Sequence, residues 1–119
     1  MFTKLNRISI PLLTLVGVLA LGPGAGRAAA ADSAWRARHW NKRTLSGDPV
    51  VQRDESEINH DWGGGAPHAL IGDDNFSARW TRTVDLSAGN YRFTATLDDG
   101  MRVWIDDQLL IDSWVDSQV

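Results

Sequence analysis

The sequence predicts an all-β fold, an antiparallel sandwich or barrel, preceded by a cleavable signal peptide. Three observations carry this reading. Almost nothing after residue 32 repeats with a helical period. Several short runs alternate apolar with polar residues, the period-two mark of a half-buried strand. Turn-forming clusters separate those runs at near-regular spacing, as in sandwiches and barrels. No internal repeat is visible.

The elements follow in order. Lys4 and Arg7 form a basic start, residues 8–21 are apolar apart from Ser9 and Thr14, and Ala28-Ala29-Ala30-Ala31 offers a small-residue cleavage site. That order of charge, apolar run and small residues is a secretory signal. The apolar run is shorter than the ~20 residues a membrane span requires, so an uncleaved anchor is the weaker alternative. Residues 1–31 are therefore read as signal and residues 32–119 as the β domain, with no membrane insertion after cleavage and a secreted or cell-surface location.

Trp35-Arg36-Ala37-Arg38-His39-Trp40 is a short amphipathic piece, read as an early strand. Ser46-Gly47-Asp48-Pro49 is a turn cluster. Val50-Val51-Gln52-Arg53 is a short strand candidate, and residues 54–59, acidic and polar, are a surface loop. Gly63-Gly64-Gly65-Ala66-Pro67 is a second loop. Phe76-Ser77-Ala78-Arg79-Trp80 alternates cleanly and continues to Leu86. After the turn at residues 87–90, Tyr91, Phe93, Ala95 and Leu97 put an apolar face on another strand. Val103 and Ile105 continue that pattern, which leaves Trp104 on the opposite face. Asp106-Asp107 then joins this run to Gln108-Leu109-Leu110-Ile111. Two-residue hairpin turns require positive φ and favour Asn-Gly or Asp-Gly, so either a strained tight turn or a longer loop is compatible with Asp-Asp.

Composition narrows the function. Cleavage would remove three positive charges (Lys4, Arg7 and Arg27) and no acid, taking the net charge from −3 to −6. Such a domain is a poor partner for nucleic acid or anionic lipid, which need basic patches. It suits cations, neutral sugars or protein surfaces. There is no cysteine, so the fold rests on its core or on a metal. All six tryptophans lie in the β domain; some must build the core, and others can form a binding face.

The most informative segment is Asp98-Asp99-Gly100, set between the runs 91–97 and 101–105. Neighbouring side chains on a strand point to opposite faces. Two adjacent carboxylates can therefore serve one ion only where the backbone leaves strand geometry. Gly100 supplies conformational freedom there, since glycine tolerates positive φ.

These residues, with others in the same order, resemble the PA-fourteen domain family, the protective-antigen-like β module of glycosidases, adhesins and toxins. The resemblance rests on residues 35–41 with Gly47; on Asp61-Trp62-Gly63-Gly64-Gly65-Ala66-Pro67; and on Asp74-Asn75-Phe76-Ser77-Ala78-Arg79-Trp80. It continues through Gly89-Asn90-Tyr91-Arg92-Phe93, residues 97–106 and Leu110-Ile111-Asp112-Ser113-Trp114. It implies a compact antiparallel β-sandwich or barrel. In sugar-binding members it also implies a calcium ion held by the adjacent acids, here Asp98 and Asp99, with a cis peptide between them. The remaining ligands in such members include an Asn side chain and backbone carbonyls of a later loop. The family pattern continues past the position of Val119, so the resemblance reads the domain as incomplete at its C-terminus.

Calcium accepts six to eight oxygen ligands, often carboxylates, so a metal at Asp98 and Asp99 is chemically sensible. The alternative is that both acids bond the turn's own backbone, as Asp commonly does. Trp104 can stack on a sugar ring beside the acidic loops or pack against a further strand. Asp106 and Asp107 read as turn residues, and Asp73, Asp74 and Asp112 as solvated or capping. His60, Asp61 and His68 match no common zinc spacing. No nucleophile elbow or phosphate loop occurs. Asn75-Phe76-Ser77 is a sequon at a strand start. Adjacent acids do not straddle a glycosidic bond, so the expectation is a non-enzyme. The sequence thus points to a carbohydrate-binding accessory module with glycan as partner, or to a structural or protein-interaction module without a sugar or metal site.

Overall fold

The computed structural model describes residues 30–114; of the expected signal segment 1–31, residues 1–29 lie outside them. Among the described residues every regular element is a strand: β1 Trp35–Trp40, β2 Val51–Glu55, β3 Ser77–Thr81, β4 Met101–Ile105 and β5 Gln108–Ser113. All pairings are antiparallel, as the alternating pattern predicts. One sheet has the order β2-β1-β3; the other is the hairpin β4-β5. Among the described residues no helix is long and apolar enough to cross a membrane.

β1 sits at the centre of its sheet, paired with β2 along one edge and β3 along the other. Ala37 lies between Arg53 of β2 and Trp80 of β3, and His39 between Val51 and Ala78. The outward face is polar, where Arg36 pairs with Asp54 at 2.9 Å and Arg38 donates to Gln52. Trp40 is buried, and its indole N–H donates to the carbonyl of Gly47 at 2.9 Å. Gly47 has φ of 71°, a conformation glycine adopts without a Cβ penalty.

Two apolar clusters hold the sheets. Ile58 and Met101 gather Trp35, Trp62, Trp80, Leu97, Val103 and Ile111, so the hairpin packs onto the inward face of the first sheet. Val51, Ile71 and Phe76 form the second cluster, with Trp62 shared between the two. The loop between β2 and β3 is therefore part of the core: Ile58, Pro67, Ile71 and Phe76 are all buried along it.

Several expectations need correction. Asp54 and Glu55 belong to β2 rather than to a surface loop. Glu55 can occupy the inward face because three donors reach its carboxylate, as described below. The strand expected at residues 82–86 does not form. Residues 91–97 keep the expected alternation, with Tyr91, Phe93, Ala95 and Leu97 half-buried, yet contain only an isolated bridge at Thr96. Side-chain alternation selects a face, whereas a ladder also needs a neighbouring backbone. The Asp106–Asp107 connection is the tight alternative: Ile105 pairs with Gln108, and both acids have positive φ, 47° and 61°.

Candidate functional site

The acidic corner lies where the irregular run 91–97 meets β4. Leu97 packs into the core on one side, and Gly100 and Met101 are buried on the other. This anchoring holds Asp98 and Asp99 half-buried at the foot of the strand. The peptide between them is cis, the form the family resemblance implied. Both acids lie outside any strand, between the irregular run 91–97 and β4. Gly100 contributes no positive φ; the described glycines that do are Gly47 and Gly63.

The donor set suits a hard cation, since both side chains offer carboxylate oxygens and no sulfur or imidazole joins them. Among the described residues no group of three or more His, Cys, Asp or Glu is placed to hold a metal. An ion at Asp98 and Asp99 would therefore complete its shell with backbone carbonyls, amide side chains or water.

Trp104 stands at the other end of β4. It lies five positions beyond Asp99, roughly 16 Å for an extended chain. It is 44% exposed and faces Leu109 across the hairpin. A register irregularity at Val103–Trp104 leaves Leu109 and Leu110 both exposed beside it. Trp104 thus points outward, as the alternation predicts, next to the Asp106–Asp107 turn rather than beside Asp98–Asp99. Asp112 is engaged by Arg102 at 2.8 Å. Asp61 accepts the Gly63 amide within its own loop, and the His68 ring accepts the Leu70 amide.

His60 enters a different constellation. Its ring stacks on Trp62, with centroids 4.9 Å apart, and on Trp80 at 5.6 Å. Its Nε2 lies 2.9 Å from Glu55 Oε2. The indole N–H of Trp80 donates to the same oxygen at 2.6 Å, and Arg53 Nε donates to Oε1 at 2.6 Å. His39 lies behind, fully buried, with its ring edge-on to Trp80 and Trp62.

The family model of the PA14 domain matches residues 33–119. The chain belongs to the PA14 domain family. A curated relative is the anti-sigma-I factor RsgI3 of Acetivibrio thermocellus, 40% identical over 83 residues. That match covers 69% of this chain but 13% of the relative. No solved structure matches.

In this PA14 domain the electrostatics concentrate at Glu55 and His39, which sequence reasoning passed over. Burial pushes the Glu55 carboxyl upward, but hydrogen bonds from Trp80, Arg53 and His60 outweigh it and hold the group below its ordinary value. Burial, then the Arg53 charge, lowers His39 to about 4. A period-two reading extended two residues further along β2 would have placed Val51, Arg53 and Glu55 on one face. Nothing local could have shown that Trp80 and His60 meet them there.

Proposed function

We propose that this PA14 domain is an exported, non-catalytic carbohydrate-binding module that holds glycan near an enzyme or surface protein it accompanies. The observation that carries the reading is the corner itself: two adjacent carboxylates, half-buried and anchored by Leu97 and Met101, on a chain of this family. Asp98 and Asp99 would hold calcium, which supplies free coordination positions for sugar hydroxyls. The chain's own part is to fix both carboxylates at one end of β4. At the other end it presents the Trp104 indole, an apolar face on which a ring can stack. The separation along the strand favours an extended glycan over a single sugar. The small share of the anti-sigma factor that this segment matches fits an accessory role in a larger protein.

The exposed Trp104, Leu109 and Leu110 favour a second reading, a protein-interaction module, because adjacent exposed apolar side chains are also what such surfaces use. Calcium titration of the melting temperature separates the two. An ion at 100 times its Kd stabilises by about 2.7 kcal/mol, a rise of roughly 10 °C or more for a domain this small. Asp99→Ala should abolish that rise, and EDTA should abolish retardation by soluble polysaccharides in affinity gels. A melt indifferent to calcium, in wild type and variant alike, would leave the interaction reading in its place.

A further inference from the structure

His39 occupies an unusual position at the heart of the first sheet. It is fully buried, and neither ring nitrogen has a hydrogen-bond partner. Few buried polar groups in native proteins are left so. The neutral ring is tolerable because it packs in T-shaped contact with two aromatic systems, Trp80 at 5.6 Å and Trp62 at 6.4 Å. An N–H directed at an aromatic face recovers part of a hydrogen bond. A protonated ring has no such refuge. The charged or titratable groups that face it are Arg53 and Glu55 of β2, and His60 and His68 of the long loop. β3 presents Ala78 and Trp80, which carry no charge. Arg53 repels a cation, and Glu55 is already engaged by Trp80, Arg53 and His60.

We propose that His39 makes this domain acid-sensitive: a proton on its ring breaks the packing of Trp62 and Trp80 around it and frees the 56–76 loop from the sheet. The loop's grip depends on that packing, since Trp62 also joins the two apolar clusters. The sign follows from linkage. His39 is held near 4 when folded, against 6.5 for the free side chain. The opened or unfolded state therefore takes the proton first. Stability from this group is complete above about pH 6.5 and is lost as pH falls toward 4. Between pH 7.5 and 5, this group alone raises the open population about 30-fold.

Hydrogen exchange of the full chain tests the proposal. After correction for intrinsic exchange, amides of the 56–76 loop should open about 30-fold more often at pH 5 than at pH 7.5. His39→Phe keeps the ring and removes the titrating group, so its loop should lose that slope. A variant with the wild-type slope overturns the proposal. Should His39→Phe fail to fold, histidine ring NMR of the wild type decides. A His39 ring that stays neutral at pH 5 in the folded chain supports the mechanism; one that titrates near 6.5 with the loop in place refutes it.

Discussion

Glu55→Gln should destabilise this domain far more than the surface loop expected from the sequence implies, because Glu55 ends β2 on its inward face. The carboxylate side chain is 9% exposed and receives three donors. Trp80 and His60 share Oε2, and Arg53 takes Oε1. Glutamine has the same shape but offers one acceptor oxygen. If that oxygen faces Trp80 and His60, the amide N–H₂ meets the Arg53 N–H. If it faces Arg53, the buried Trp80 N–H is orphaned. A hydrogen bond to a charged group contributes about 1.5–3 kcal/mol, and stranding a buried donor costs a comparable amount. Arg53 is 36% exposed, so solvent recovers part of its share. The expected loss is therefore about 2–3 kcal/mol.

Urea unfolding at pH 7.5, followed by tryptophan fluorescence, measures it. With a slope near 1 kcal/mol/M for a small domain, the midpoint should fall by about 2–3 M. The pH dependence has a definite sign. Glu55 is held below 4.5 in the folded state, so its contribution is present above that pH and disappears as pH falls through the lowered folded value. The gap between wild type and variant should close only in that acidic range. A midpoint shift below about 0.5 M at pH 7.5 would show that the carboxylate does not organise the cluster.

Two further substitutions probe the frame around it. Phe76 is 1% exposed between Val51, Ile71 and Trp62, so Phe76→Ala should cost about 3–5 kcal/mol in the same urea assay. Asp107 has φ of 61° in the β4–β5 turn, where glycine avoids the Cβ penalty; Asp107→Gly should raise stability by about 0.5–1 kcal/mol, seen as a higher melting temperature.

Legibility in the sequence followed the range of the interaction. Alternation placed β3, which it overran to residue 86, and β4, and it turned Trp104 outward, because side-chain direction is fixed within two residues; β1 was read as a short amphipathic piece and β5 as the run that follows the Asp106-Asp107 turn. The same rule gave residues 91–97 their correct faces while failing to give them a ladder, since pairing needs a second backbone. The acidic corner was readable as well: its two carboxylates are adjacent in the chain, and the anchoring Leu97 and Met101 lie within two residues of it. Glu55 was missed because its polarity suggested solvent, and two of its three donors lie 5 and 25 residues away.

By itself, then, the sequence determined an antiparallel β module of the PA14 family with two acids poised at one strand end. Tertiary structure alone decided that His39, Glu55, His60, Trp62 and Trp80 converge from three strands and a loop. The physical reason is that periodicity and turn chemistry are written locally. The burial of a charge or an imidazole depends on which distant segments arrive to satisfy it or leave it unpaired.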